Sequence, residues 1–314
     1  MTLQPDTQVF VDMVEAARAS APPVAEQTPE FSRDRYRAMA HILGKGPEVP
    51  GGIVDAEIPG PAGHIPVRIY RPNTEGPHPV LVFFHGGGFV IGDLETHDKE
   101  CRLLCTKAEC MVVAIDYRLA PEAEFPAAVE DAWAAVEWVA TSGGEIQADT
   151  NRVAVGGDSA GGNLAAVVAL MARDAGIALK LQMLVYPATD ASQHYESFTE
   201  NEAGPLLTVE VINWFWSHYL GQQSLNETRT DWRFSPALAD SHSGVAPAYV
   251  ATCSADPLRD EGNAYANTLS SAGVPVKHSL FDGEPHALFQ MFNTCAGAKR
   301  LIEECAAALV AAFE

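Results

Sequence analysis

Between residues 80 and 186 the chain alternates short apolar runs with stretches of helical repeat. Segments 80–84, 111–115, 153–155 and 182–186 read as strands, and the unbroken runs VLVFF and MVVAI suit burial on both faces. Segments 98–108, 126–140 and 160–172 between them read as helices, the last rich in small residues. Strand, helix, strand at this spacing predicts βαβ units in a largely parallel sheet. Upstream, 53–58 and 65–70 are short extended segments around a Gly/Pro turn, which predicts a hairpin. Downstream the alternation resumes with a strand at 248–252, a helix at 261–272, a strand at 276–281 and a terminal helix from about Gly297.

Two regions fall outside this rhythm. The first fifty residues carry helical patterns at 7–19 and 29–43, separated by the proline-containing segment 21–27. Segment 190–243 is too long for a simple strand-to-helix connection and holds the aromatic run VINWFWSHYL at 211–220. Both are expected to hold structure outside the sheet. Segments 1–50 and 190–243 thus stand apart from an alternating body, 51–189 with 244–314.

Composition narrows the function classes. Of 314 residues, 47% are hydrophobic and 19% charged, which suits a globular chain with an ample core. The 20 Lys+Arg against 41 Asp+Glu give a net charge of −21 and no basic cluster. Nucleic acid and anionic membranes are therefore excluded as expected partners, because phosphate binding needs clustered cations. The N-terminus lacks a basic region followed by an apolar core. The longest apolar stretch, about 164–172, is far short of the ~20 residues that span a bilayer. A cytoplasmic location is the expectation. Six cysteines lack CxxC spacing; Cys101 and Cys105 share a helix face, but no further ligands are near, so no metal is expected and reduced thiols are.

The chemistry lies in two glycine-rich segments. Gly157-Asp158-Ser159-Ala160-Gly161 stands between a short strand and a helix, the setting in which G-x-S-x-G marks a nucleophile. A serine on so sharp a turn projects its Oγ above the sheet, and side chains at the flanking glycines would strike the neighbouring strand or helix. The helix N-terminus behind it favours developing negative charge. A nucleotide loop is the competing reading, but neither G-x-x-x-x-G-K-[ST] nor G-x-G-x-x-G fits. His85-Gly86-Gly87-Gly88-Phe89 follows strand 80–84. Consecutive glycines are entropically costly, and their use is to bring backbone N–H groups to a ligand unobstructed. In acyl transfer, the N–H groups of Gly86 and Gly87 would join that of Ala160 around an oxyanion.

HGGGF, YRLAPE (117–122) and GDSAGG (157–162) together resemble the hormone-sensitive-lipase-like, bacterial family IV esterases of the α/β-hydrolase superfamily. DPLRDEG (256–262) and the region around His286 extend the similarity over residues 67–289. The resemblance implies an α/β fold with a mostly parallel eight-stranded sheet flanked by helices, in which 51–189 with 244–314 are the catalytic domain, 1–50 are N-terminal cap helices and 190–243 a cap insertion. It also implies short-acyl ester substrates and a homodimer, since family members often pair through an edge strand.

A serine hydroxyl needs a base, and imidazole serves near neutral pH. Of ten histidines, His85 and His97 are placed to shape the glycine loop. His41, His64, His78, His194, His218, His242 and His278 lack a suitable loop. His286 follows the last expected strand, where the chain order Ser…Asp…His puts the base. Asp256 follows the preceding strand; Asp260 and Glu261 compete for the acid's role but read as N-terminal charges of the next helix. The resemblance assigns the same three residues, with its usual H-G-F replaced by His286-Ala287-Leu288. Phe31, Tyr36, Phe89, Asp158, Trp214, Phe215, Trp216 and Leu288 are the expected pocket residues, with cap packing the competing role of the 211–220 stripe. Asp158 is read first as structural and second as tuning the loop's hydrogen bonds.

The expected reaction is hydrolysis of a small, neutral ester through an acyl-enzyme, without cofactor. The acid-rich surface disfavours anionic substrates. An amidase or deacetylase would use the same triad. A non-catalytic receptor on this scaffold, as the similar plant gibberellin receptors are, would lack the base that His286 supplies.

Overall fold

The structure, a computed structural model, describes residues 2–19 and 21–314. Met1 and Ser20, inside the expected N-terminal cap segment, lie outside the described residues. Helices α1 (Pro5–Arg18) and α2 (Pro29–Leu43) come first; Thr28 caps α2 by accepting from the Phe31 N–H at 3.2 Å. Strands β1 (Ile53–Gly60) and β2 (Gly63–Tyr70) form the expected antiparallel hairpin. Then follow β3 (His78–Phe84), α3 (Asp98–Ala108), β4 (Met111–Ile115), α4 (Ala127–Ser142), β5 (Ala148–Asp158), α5 (Ala160–Ala175) and β6 (Leu179–Val185). The excursion outside the rhythm holds α6 (Glu196–Glu200), α7 (Val209–Leu220) and α8 (Leu225–Thr228). The chain closes with β7 (Ala248–Ala255), α9 (Arg259–Ser271), β8 (Val276–Pro285) and α10 (Ala296–Phe313).

The eight strands make one sheet in the order β1-β2-β4-β3-β5-β6-β7-β8, parallel from β4 to β8 and antiparallel at the hairpin edge. Strand periodicity divides its side chains between two cores. Val80, Val82 and Phe84 of β3 join α4 and α5 on one face, while Leu81 and Phe83 join α3 and α10 on the other. Each such side chain, fully buried, contributes roughly 1.5–3 kcal/mol. That two-sided burial is why these strands are continuously apolar. It also makes the sheet a rigid platform whose carboxyl ends carry the site.

The six cysteines are all buried and unbridged, and burial raises the thiols of Cys101, Cys105, Cys110 and Cys253. Among the described residues, no helix is long and apolar enough to cross a membrane.

Candidate active site

At the end of β5 the chain turns into Ser159 with φ 56° and ψ −119°, a strained conformation for a residue with a side chain. The turn is held by the Ser159 N–H donating to the Val185 carbonyl at 2.9 Å. A Cβ on Gly157 would lie 2.3 Å, and one on Gly161 1.9 Å, from the Phe84 carbonyl oxygen. Close approach of α5 to β3 therefore demands glycine on both sides, and the serine is left projecting from the sheet edge.

His286 follows β8, and its Nε2 lies 2.9 Å from Ser159 Oγ. Its Nδ1 lies 2.7 Å from Asp256 Oδ2. Asp256 follows β7, is fully buried, and accepts at Oδ1 from the Leu258 N–H at 2.9 Å. The Tyr186 ring packs against the imidazole with centroids 4.5 Å apart. Three strand ends thus bring a hydroxyl, an imidazole and a carboxylate into one hydrogen-bonded line. Among the described residues no cluster of His, Cys, Asp or Glu is placed to hold a metal.

The glycine loop corrects one expectation. The Gly86 N–H points away from the site and donates to Asp158 Oδ1 at 2.9 Å. Gly87 and Gly88, not Gly86, line the cavity beside Ser159 and Ala160. Behind the loop His97 Nε2 lies 3.2 Å from the same Asp158 oxygen, both side chains being almost fully buried. For Asp158, burial opposes the charge, but the His97 cation and the hydrogen bonds from His97 and Gly86 outweigh it and lower the carboxyl below its usual range. For His97, burial pulls downward, and the Asp158 charge and hydrogen bond outweigh it, raising the imidazole. The two shifts describe one buried ion pair. His85 is the reverse case: burial, then the His97 charge, push it down to about 4, and it stacks on Tyr117 with centroids 4.3 Å apart.

A test follows from this pair. Asp158→Asn keeps an oxygen for the Gly86 N–H but removes the charge facing His97. Breaking a buried pair this way is expected to cost about 3 kcal/mol in urea denaturation. Asp158, with its lowered value, stabilises above the unfolded carboxyl's ~3.9 and less as pH falls; His97, with its raised value, stabilises below ~6.5 and less as pH rises. The deficit should therefore be largest between about pH 4 and 6.5 and shrink on either side. An equal deficit at about pH 5 and about pH 9 contradicts the pairing.

A cavity of about 600 Å³ opens over Ser159. Its walls come from the sheet edge, from α1, the turn after it and α2, and from residues 188–216. Glu261, beside it, is buried and accepts from the Thr189 N–H at 2.6 Å, tying α9 to the start of the excursion. It stands in the first turn of α9, as the sequence suggests, and burial pushes its carboxyl well above the usual range.

Over residues 81–290 the chain matches the alpha/beta hydrolase fold family. It is 46% identical over 284 residues to a carboxylic ester hydrolase, LipN, of Mycobacterium tuberculosis, covering 88% of this chain and 75% of that protein. The chain belongs to the hormone-sensitive-lipase-like esterases of the α/β-hydrolase superfamily. The esterase is also 37% identical to an ethyl acetate hydrolase of Pseudomonas putida, over 100% of this chain and 98% of that one. Among solved structures, an ester hydrolase from the metagenome of Lake Arreo superposes with a TM-score of 0.94 at 40% identity, covering 99% of both chains. The esterase of Pyrobaculum calidifontis gives 0.92 at 36% identity, again over 99% of both.

Within the esterase, Tyr36, Phe89, Asp158, Trp214, Phe215 and Trp216 line the cavity as expected from the sequence. Phe31 does not: it lies around α2 from the cavity-facing stripe, beneath the Arg35 guanidinium at 5.7 Å. Leu288 does not either. Ala287, at φ 64°, reverses the chain after His286, so Ala287 meets the cavity and Leu288 drops fully buried into the core. Gly88, Asn163, Glu261 and Gln290 are cavity residues that sequence reasoning missed. For Gly88 the signal was present in HGGGF; for Gln290 and Glu261 nothing in the sequence distinguishes them from helix or turn residues.

Proposed function

We propose that the protein hydrolyses short-acyl carboxylic esters through an acyl-enzyme on Ser159. The observation that carries the reading is the line Ser159 Oγ–His286–Asp256, with separations of 2.9 and 2.7 Å. Ser159 attacks the ester carbonyl as His286 Nε2 takes its proton, and Asp256 fixes the imidazole tautomer and stabilises the cation. The amides of Gly87, Gly88 and Ala160 receive the oxyanion. His286 then protonates the leaving alcohol, and water repeats the sequence on the acyl-enzyme. Segments 1–50 and 190–243 act as a cap that bounds the substrate, and a relative named for hydrolysis of ethyl acetate supports a small acyl group here.

The test is an acyl-chain and leaving-group series of p-nitrophenyl esters, with amides of the same acids alongside. Turnover highest for short acyl esters is expected, with one equivalent of fluorophosphonate bound covalently. Preference for the amides, or absence of labelling, overturns the proposal.

The loop makes a separate prediction. A Cβ on Gly87 would lie 2.1 Å from the Ile91 carbonyl oxygen, at φ 120°. Gly87→Ala must displace the loop, so kcat is expected to fall by about 10²–10³. Fluorophosphonate labelling at saturating reagent should persist, because the nucleophile and base are untouched.

A further inference from the structure

Helix α2 turns Ser32, Arg35, Tyr36, Met39 and Leu43 toward the cavity, the stripe of one helical face. The arginines on either side of Arg35 are engaged elsewhere. Arg33 donates to Glu122 at 2.7 and 2.8 Å and to the carbonyls of Val90 and Ala120, each at 2.8 Å. Arg37 is paired with Asp93 and with Asp34. Arg35, half-buried, has no hydrogen bond or ion pair among the described residues; the Phe31 face is its recorded neighbour. In a chain with 41 acids to 20 bases, scarcity of carboxylates does not explain this. Arg18, the other cation of the cavity wall, is tied to Glu15 at 3.0 Å and to the Leu206 carbonyl. Of the five acids there, Glu15 is paired with Arg18, Asp158 faces His97, Asp190 accepts from Ser192, Gln193 and Tyr195, Glu261 accepts from the Thr189 N–H, and Glu210 is exposed.

We propose that Arg35 is a specificity residue that receives a carboxylate on the substrate, so that the substrate class includes hemiesters of dicarboxylic acids and esters of hydroxy acids. The proposal rests on the esterase reading and deepens it. A guanidinium offers a planar fork of donors matched to a carboxylate, and Phe31 beneath it restricts the plane's orientation. The −21 charge of the chain opposes the approach of such a substrate, but that field is screened over about 8 Å at physiological salt. Arg35 acts at contact, inside the wall, where the sequence-based expectation of neutral substrates did not reach.

Two substrate pairs, at fixed ionic strength, test this. One compares the mono-p-nitrophenyl ester of glutaric acid with p-nitrophenyl pentanoate, placing the carboxylate on the acyl side. The other compares butanoyl esters of para-hydroxybenzoate and para-hydroxybenzamide, placing it on the alcohol side. Arg35→Gln is expected to lower the anionic-to-neutral ratio of kcat/KM about tenfold on one pair, mainly through KM, and Arg35→Lys to restore part of it. Taking the ratio cancels any general loss of folding or chemistry. An unchanged ratio on both pairs overturns the proposal. So does a wild-type preference for a trimethylammonium-bearing ester over both members of the acyl-side pair, which would make the acidic groups dominant. Failure of the esterase reading looks different: no turnover of the neutral esters by the wild-type protein.

Discussion

Ser159→Ala is expected to lower kcat for a p-nitrophenyl ester by roughly a millionfold. Alanine removes the hydroxyl 2.9 Å from His286 Nε2, the atom on which the proposed acyl-enzyme forms. The fold should be preserved. Ser159 sits at φ 56° through hydrogen bonds made by its backbone, not its Oγ, and alanine fits the same turn with the same strain. Substrate binding therefore persists while chemistry stops: KM, or the Kd of an unreactive analogue, should stay near the wild-type value. Residual turnover reflects only oriented amides and bound water. A variant that keeps most of its activity removes Ser159 from the mechanism, and loss of circular dichroism would instead show misfolding.

Asp256→Asn comes next in size, with an expected loss of about 10⁴ in kcat. The carboxylate accepts from His286 Nδ1 at one oxygen, 2.7 Å away, and from the Leu258 N–H at the other, 2.9 Å away. With both oxygens occupied as acceptors and the side chain fully buried, Asp256 admits one imidazole tautomer: proton on Nδ1, lone pair on Nε2 facing the serine. The asparagine carboxamide keeps its oxygen for the Leu258 N–H and turns its NH₂ to Nδ1. The imidazole proton then moves to Nε2, and the base is blocked. The geometry is nearly unchanged, so KM should move little. Steady-state kinetics with fluorophosphonate labelling rates check it; a labelling rate equal to wild type would contradict a tautomer effect.

Some positions are legible in the sequence and others are not, for physical reasons. The buried strands could be read because burial on both faces leaves a continuous apolar run, and Met111–Ile115 and Asp98–Ala108 have the bounds expected. The apolar run 153–155 marks only the centre of β5 (Ala148–Asp158): Ala148 pairs with His78 and Asp158 with Val185, and the polar stretch 149–152 hides the extension from periodicity. Three adjacent glycines look alike in sequence, so HGGGF does not tell which N–H groups face the cavity. Only the Asp158 carboxylate, fixed 72 residues later in the chain, decides which N–H turns inward. An apolar residue two positions after His286 can face cavity or core, and the conformation of Ala287 sends Leu288 to the core.

The sequence by itself determined the architecture, because strand periodicity and local turn chemistry are written in neighbouring residues, and it carries in order the serine, the acid and the histidine that the proposed mechanism uses. Tertiary structure alone decided which amides face the cavity, that His97 and Asp158 are one buried pair, and that Arg35 in the cavity wall pairs with none of the acids around it among the described residues. Those properties depend on which groups from distant segments come within a few ångströms in a dry interior, where pairing and desolvation outweigh anything a residue's neighbours in the chain prescribe.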